Sequence, residues 1–400
     1  MRIVVINRWQ DNFADYKKLI NHNVHEIIYI TNAEGAKYIQ NYEVKCTEHL
    51  VVDSLSDKKI LCAIFQDLLN KYQCIDRVVA MSEMDIAIAG YLRSKYKISG
   101  MSEQTALNFT DKVCMKNALF GKEILFPKYT SNINKIDELT FPIILKPRNG
   151  ASSEGVVKLS DYSEYYDYCQ ENILENYEAE EFIDGSIYHV DGFCFQGKLE
   201  FAKASKYINT PYDYIRGKAI GSIFCADNVF SDRVFSFTEV VLSALGLQDS
   251  VFHLEFIEHG DEFYFLEVGA RQGGGEIVPM YKKLYNMDLI KLSFNLQIGV
   301  EKVPLFEKKD ERIAAFLLFP EPSQLPDKVK EITMFNLESQ VYQISPKIGE
   351  NMEEGGGYYF NSGRFLFYGD SEQVIKDVNY VMSNFRITMS REKNNEIDDN

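Results

Sequence analysis

Two glutamates and one arginine in the stretch Phe252–Gly275 are the residues of this chain best suited to chemistry. Glu255 and Glu267 each stand among apolar residues, where a core side chain would otherwise fit. Burial of a carboxylate is costly unless a cation or strong hydrogen-bond donors accompany it. Because Arg271 and three glycines follow directly, the pattern predicts a site for a divalent metal and an anion. The alternative is a pair of solvent-facing glutamates on edge strands.

The spacing of the two glutamates depends on the β-hairpin that the alternating apolar stretches around residues 259–261 predict. A three-residue loop at Glu258–Gly260, with Gly260 in the left-handed conformation, places Glu255 and Glu267 on one face of the sheet. An ideal hairpin still leaves them about 13 Å apart along the strand. Twist, a bulge or a longer loop must close that gap before both carboxylates can bind one Mg²⁺, which usually takes one or two of them.

A second candidate site begins where the apolar run Phe141–Leu145 ends in Lys146. An unpaired ammonium there would be disfavoured, so the lysine is predicted either to bind an anion or to reach the surface. The small-residue loop Asn149–Gly155 follows and predicts a nest of backbone N–H groups, or else an ordinary turn. Lys112 is a weaker candidate, because Asp-Lys pairs are common on helices such as the one predicted over Ser102–Leu119.

The elements that must position these residues alternate in type along the first hundred residues. Short buried strands are predicted at 2–6, 26–30, 49–52 and 77–81, separated by helices that include Lys58–Tyr72 and Met84–Lys95. Such alternation predicts a parallel α/β unit. The unit lacks the GxGxxG pattern that would bind a dinucleotide. Farther along, Lys203–Gly221 is predicted as an exposed excursion between strands.

Histidines and cysteines give weaker signals. His189 and His253 alternate with apolar residues, so they either line a cleft or are satisfied structural side chains. The seven cysteines are scattered and never spaced as CxxC, which favours reduced thiols over disulfides or a zinc site.

Composition limits the function classes. The chain has 400 residues, 46% of them hydrophobic, enough for two or three folded domains. A net charge of −16 disfavours nucleic acid as a partner, because phosphate neutralisation needs basic patches. No apolar run reaches membrane-spanning length, and the first residues predict a strand rather than a signal peptide. We therefore expect a cytoplasmic protein with no membrane partner.

Five segments in this order resemble the nucleotide-binding core of the ATP-grasp superfamily, over about residues 75–300. The segments are Asp111-Lys112, the strand ending in Lys146, the loop Asn149–Gly155, Glu180–Gly185 before the strand Ser186–Phe195, and the carboxylate hairpin. Within the superfamily, the run Glu-Val-Gly-Ala-Arg-Gln-Gly-Gly-Gly is most similar to carboxylate–amine ligases that join amino acids.

The resemblance implies an ATP-grasp fold of mixed α/β and α+β class. It implies a Rossmann-like N-terminal domain at 1–100 and a two-lobed core at 101–305 with a hinge near 180–185. A strand-rich C-terminal α+β region at 306–388 and a charged tail at 389–400 complete the expected organisation.

The resemblance also assigns roles to individual residues. The residues expected to bind ATP are Lys112, Lys146, Ser152, Ser153 and Gly155 at the phosphates, and Glu181 and Ile183 at the adenine edge. Those expected around the reacting groups are the Mg²⁺ ligands Glu255 and Glu267, the catalytic Arg271 facing the acyl phosphate, and Gly273, Gly274 and Gly275 at the substrate. One departure is Gly269, where the family commonly has an asparagine ligand; weaker metal binding is expected.

The function implied is ATP- and Mg²⁺-dependent formation of an amide bond between two L-amino acids, through an acyl phosphate. The similarity favours ligases joining L-aspartate to L-methionine, although the residues themselves do not identify the substrates. Two alternatives stay open: a ligase that loads an amino acid onto a carrier protein or small metabolite, and a nucleotide-binding regulator without catalysis. A homodimer is also left open.

Overall fold

The computed structural model describes residues 1–10, 13–150, 153–226, 228–307, 310–322, 327–352, 355, 358 and 360–390. Its contacts divide the chain into two compact units. The first unit comprises Met1–Ala204, Asp227–Gly273 and Asp288–Leu305, and the second comprises Ser205–Ala226, Gly274–Met287 and Phe306–Asn400. The domain limits expected from the sequence stay a prediction.

The strands up to the carboxylate hairpin are β1 (Arg2–Asn7), β2 (Glu26–Thr31), β3 (Glu48–Val51), β4 (Arg77–Ala80), β5 (Tyr129–Thr130), β6 (Ile143–Pro147), β7 (Val157–Leu159), β8 (Tyr177–Glu181), β9 (Ser186–Phe195), β10 (Lys198–Ile208), β11 (Ile220–Phe224), β12 (Ser250–His259) and β13 (Glu262–Gly269). The later strands are β14 (Ile313–Phe319), β15 (Asp327–Ile332), β16 (Gln340–Ile344), β17 (Asn351–Met352), β18 (Gly363–Gly369) and β19 (Ile387–Ser390).

The α-helices are α1 (Tyr16–Leu19), α2 (Ala33–Asn41), α3 (Lys58–Tyr72), α4 (Glu83–Tyr96), α5 (Glu103–Leu107), α6 (Lys112–Leu119), α7 (Tyr162–Glu171), α8 (Pro211–Tyr214), α9 (Asn228–Leu245), α10 (Ile277–Tyr285), α11 (Leu289–Ile298) and α12 (Ser371–Asn384), with a 3₁₀ helix at Ile133–Glu138. No helix in the described ranges is long and apolar enough to cross a membrane.

A parallel sheet of order β3-β2-β1-β4 forms the start of the first unit and confirms the predicted α/β alternation. Its strands are buried on both faces: Val4 belongs to a core cluster with α3 and α4, and Val5 to a cluster with α2 and α11. The open edge of β4 is covered by side chains. Arg93 donates to Val78 O, and Gln297 accepts from Ala80 N. Pairing an edge in this way prevents association through free backbone groups.

Two antiparallel sheets of the first unit carry the candidate site. One has the order β5-β8-β6-β7 and places Lys146 on β6 beside β8. The other has the order β13-β12-β9-β10 and contains the carboxylate hairpin. Strand β10 passes from the first unit to the second after Ala204.

The second unit is strand-rich, as the sequence predicted for the C-terminal region. In it the end of β10 pairs with β11, and the order continues through β14 and β18 to β16. A further sheet has the order β17-β15-β19. Helix α12 packs against β14 and β18, with Val374 and Val378 buried.

Two local predictions were wrong. The helix expected over Ser102–Leu119 is two helices, because Asp111 caps a new one by accepting hydrogen bonds from the N–H groups of Val113 and Cys114. The excursion expected over Lys203–Gly221 instead contains the end of β10, the helix α8 and the start of β11. Thr210 and Asp213 form a capping box that starts α8, a local signal present in the sequence.

Candidate active site

Glu255 and Glu267 lie directly opposite each other on β12 and β13. The expected three-residue loop is wrong, because His259 pairs with Glu262 and only Gly260 and Asp261 form the turn. Gly260 does have the predicted left-handed conformation, with φ of 61°. The register then shifts by one residue at a β-bulge next to Glu255, which brings the two glutamates into the same cross-strand pair. The position of the turn closes three of the four residues of the gap that the expected hairpin leaves, and the bulge closes the fourth.

Lys112 forms an ion pair with the carboxylate of Glu267. Its Nζ lies 2.9 Å from Glu267 Oε2 and also donates to Gly150 O at 3.3 Å. Burial alone would raise the pKa of the Glu267 carboxyl, but Lys112 and Lys146 lower it to about 2. Glu267 is therefore ionised at neutral pH, the form in which a carboxylate binds a metal. Lys112 lies at the first position of α6, directly after the Asp111 cap.

Lys146 belongs to a buried cluster of two lysines and two glutamates. Its Nζ lies 2.5 Å from Glu180 Oε1, and Lys116 Nζ lies 2.6 Å from both Glu178 and Glu180. Burial opposes the ammonium charge, but the two carboxylates outweigh it and raise the pKa of Lys146. The surface-lysine alternative is thereby excluded, since only 6% of Lys146 is exposed. A buried, charged and oriented ammonium is suited to a phosphate oxygen.

Replacing Lys146 by methionine should reduce ATP affinity or turnover while the protein still folds. The apolar stem is kept, and Lys116 still neutralises Glu180. The unfolding temperature should fall only modestly, because the cost of about 3–5 kcal/mol for an unpaired buried charge does not arise while Lys116 pairs with Glu180. Nucleotide binding by calorimetry tests this, with Lys135→Met as the exposed control. Unchanged binding and rate would remove Lys146 from the phosphate site.

Arg271 is fixed by Glu83, a residue that the sequence reasoning missed. Arg271 Nε donates to Glu83 Oε2 at 2.6 Å, Nη2 also pairs with Glu83, and Nη1 donates to Gln272 O. Glu83 is the first residue of α4, some 188 positions away in sequence. A side chain added at Gly269 would meet Arg271 Cγ at 3.3 Å and Glu83 Oε2 at 3.7 Å. The ion pair of Arg271 with Glu83 therefore lies beside Gly269, the position where the family commonly has an asparagine.

The residues expected at the adenine edge lie at the end of β8 and just beyond it. Glu181 is the last residue of β8, and its side chain accepts from Thr140 N at 2.8 Å. Ile183 is half-buried and follows in irregular backbone. Within the described residues, its N–H makes no hydrogen bond to another backbone group. The adenine assignment stays a prediction.

The loop before β7 is described only in part. Gly150 and Gly155 have the positive φ values, 128° and 72°, that their predicted roles require. Ser153 also has a positive φ, 56°, and its carbonyl accepts from Val156 N. Ser152 lies outside the described residues. The phosphate-binding role of this loop stays a prediction.

The three substrate glycines fall at a unit boundary. Gly273 ends a segment of the first unit, whereas Gly274 and Gly275 begin a segment of the second. In the second unit, a side chain at Gly275 would meet Phe316 at 3.2 Å, and its φ is 60°. Their substrate role remains a prediction.

The two histidines form a buried polar cluster around Asp191. Asp191 accepts from His189 Nδ1 at 2.6 Å and from His253 Nδ1 at 2.9 Å. His253 Nε2 lies 3.3 Å from Glu255 Oε1. Although burial opposes a charged ring, Asp191 raises the pKa of His253 to about 9. His253 is therefore a buried side chain with both ring nitrogens in contact with carboxylates, one of them on a candidate metal ligand.

The fold of this chain is the ATP-grasp fold. The family model of the ATP-grasp domain matches residues 109–275. The crystal structure of an L-amino acid ligase from Bacillus licheniformis superposes with a TM-score of 0.74 and 15% identity, covering 98% of this chain and 99% of that one. N5-carboxyaminoimidazole synthetase from Staphylococcus aureus, solved with ADP, superposes with a TM-score of 0.67 and 12% identity over 95% and 96% of the two chains.

One relative with a similar sequence is an L-amino acid ligase. The L-arginine-specific L-amino acid ligase of Bacillus subtilis is 28% identical over 265 residues, which cover 62% of this chain and 63% of that protein. The match thus spans less than two thirds of the relative's length. The chain contains an ATP-grasp domain and has the ATP-grasp fold, and its resemblance to amino-acid ligases is confirmed.

Proposed function

We propose that this protein is an ATP- and Mg²⁺-dependent ligase that joins two L-amino acids through an amide bond. The observation that carries the proposal is the contact of Lys112 with Glu267, directly opposite Glu255. A cation suited to phosphate therefore touches one of two carboxylates suited to Mg²⁺. The similarity to L-amino acid ligases supports the same reading.

Two transfers make up the reaction. A carboxylate oxygen of the first amino acid attacks the γ-phosphorus of ATP, the bond to the β-phosphate oxygen breaks, and an acyl phosphate and ADP result. The amine of the second amino acid then attacks the acyl carbon, loses a proton and expels inorganic phosphate. Both steps develop negative charge on phosphate oxygens, so preorganised cations supply much of the catalysis.

The chain has cations arranged for this task. Lys112 and Lys146 are the proposed phosphate contacts, and both are already held by carboxylates before the nucleotide binds. Exchanging a carboxylate for a phosphate oxygen costs each lysine little, because the new partner is also an anion. Arg271 is proposed to face the acyl phosphate. Its pairing with Glu83 fixes the guanidinium plane before the reaction begins.

The metal fit rests on the donors present. Glu255 and Glu267 offer carboxylate oxygens from adjacent strands, and Mg²⁺ prefers such hard ligands completed by phosphate and water. Gly269 contributes no side chain, so we expect weaker binding than in relatives with a third protein ligand. When bound, the ion neutralises the triphosphate and orients it for transfer.

Phosphate release with amino acids tests the proposal. The wild-type protein should release ADP and inorganic phosphate only when suitable amino acids are present, and mass spectrometry should find the dipeptide. A screen of all pairs would identify the substrates and would show whether L-aspartate with L-methionine is among them. ATP binding without amino-acid-dependent phosphate release would support a regulator, and phosphate release that needs an added carrier protein or metabolite beside one amino acid would support that acceptor.

A further inference from the structure

We propose that His253, anchored by Asp191, is a positioning residue that orients the carboxylate of Glu255 for the metal. The inference rests on the proposed function only in taking Glu255 as a metal ligand. It adds two residues, His253 and Asp191, to the machinery of the site.

The strand register places the four side chains of this cluster next to one another; they are His189, Asp191, His253 and Glu255. On β12 and β9, His253 is directly opposite Asp191, and Glu255 is directly opposite His189. Residues two apart on a strand face the same side, so all four side chains occupy one face of the sheet. Three of the four are buried histidine or aspartate side chains: His189 and Asp191 are 0% exposed, and His253 is 8% exposed.

The polar contacts of this cluster form a series that ends at Glu255. The imidazole of His253 links two carboxylates: Nδ1 lies 2.9 Å from Asp191 Oδ1, and Nε2 lies 3.3 Å from Glu255 Oε1. Asp191 is itself held by His189 through its other oxygen. This series of contacts therefore runs from buried side chains of the sheet to Oε1 of Glu255, the candidate metal ligand.

Anchoring matters more here because the site has few protein ligands. On β13 the position opposite His253 is Gly269, which has no side chain to share in orienting the metal. With Oε1 engaged by His253, the rotation of the Glu255 carboxylate is restricted. Outer contacts that fix a ligand in this way typically contribute about 10–100-fold to metal affinity or activity.

A pair of substitutions separates the two bonds of the imidazole. His253→Gln places an amide N–H near the position of Nε2, so it can still donate to Glu255. His253→Asn places its amide near Nδ1, so it can bond Asp191 but cannot reach Glu255. We expect His253→Asn, which loses the contact with Glu255, to weaken metal binding about tenfold or more, and His253→Gln, which keeps that contact without the anchor, to weaken it less.

Mn²⁺ binding is measured by electron paramagnetic resonance on the full chain, with a non-hydrolysable ATP analogue and no amino acid. Glu262→Gln is the control, because Glu262 lies on β13 outside this cluster and accepts a hydrogen bond from Tyr264; its Mn²⁺ affinity should stay close to that of the wild type. Thermal unfolding verifies that each variant is folded. Equal affinities for the His253 variants and the wild type, or equal losses in both variants, would overturn the proposal.

Asp191→Asn provides a second route if His253→Asn does not fold. It leaves the imidazole present but weakens its anchor, so Mn²⁺ affinity should fall about as far as in His253→Gln, which lacks the same bond to Asp191. Wild-type affinity in Asp191→Asn would overturn the role of the anchor. Failure of the ligase function would appear separately, as absence of amino-acid-dependent phosphate release in the wild-type protein.

Discussion

Replacing Glu267 by glutamine should lower the rate of amide formation on the order of 10²-fold, which corresponds to about 3 kcal/mol. The substitution keeps the shape of the side chain but removes the charge that would bind Mg²⁺. It also removes the carboxylate that holds Lys112 Nζ at 2.9 Å, so one proposed phosphate contact loses its orientation. The Mg²⁺ concentration needed for half-maximal rate should rise together with the loss of rate.

Glu262→Gln is the matched control for this prediction. Glu262 lies on the same strand, is exposed, and accepts a hydrogen bond from Tyr264 instead of contacting a lysine. Its variant should keep the wild-type rate and Mg²⁺ requirement. Steady-state phosphate release over a Mg²⁺ titration measures both quantities. Wild-type turnover of Glu267→Gln at unchanged Mg²⁺ would show that Glu267 is not a ligand.

Replacing Arg271 should have an effect of similar or larger size, on the order of 10²–10³-fold in rate. Lysine at this position keeps one positive charge but loses the planar pair of donors that Glu83 now orients through Nε and Nη2. Arg271→Lys should therefore not restore activity. With hydroxylamine in place of the amine substrate, the wild type should accumulate a hydroxamate, and Arg271→Lys should form far less of it.

The control for Arg271 is an arginine on the same unit with a different environment. Arg233 is exposed and donates to Asp261 O at the hairpin turn, so Arg233→Lys should trap hydroxamate as the wild type does. Normal trapping by Arg271→Lys, with loss of dipeptide formation alone, would move Arg271 from the acyl phosphate to binding of the second amino acid.

Elements with strong local patterns were predictable from the sequence. Helix α3 has the predicted limits Lys58–Tyr72, because its apolar positions recur at helical spacing and Asp57 caps its start. The hairpin and its left-handed Gly260 were also foreseen. The bulge beside Glu255 was not, because one extra residue in a strand leaves no distinct mark in an alternating pattern. That single residue decides whether the two glutamates meet.

Ion pairs between residues far apart in the chain could not be predicted from the sequence. Glu83 lies in an ordinary acidic first turn of α4, and nothing near it predicts an ion pair with Arg271. The pairing of Lys116 with Glu178 likewise joins a helix to a strand 62 positions away. Alternation of Glu178 and Glu180 with smaller residues could have marked a charged inner face of β8. Tertiary packing, which brings these segments together, is what the single sequence could not supply.

The fate of a labelled carboxylate oxygen tests the central claim most directly. An amino-acid substrate with ¹⁸O in both carboxylate oxygens is incubated with the wild-type protein, ATP, Mg²⁺ and the second amino acid. If an acyl phosphate forms, its bridging oxygen stays with phosphorus when the amine attacks. One ¹⁸O should then appear in inorganic phosphate and one in the amide carbonyl, with ADP unlabelled. Label in AMP, together with release of pyrophosphate, would contradict the account.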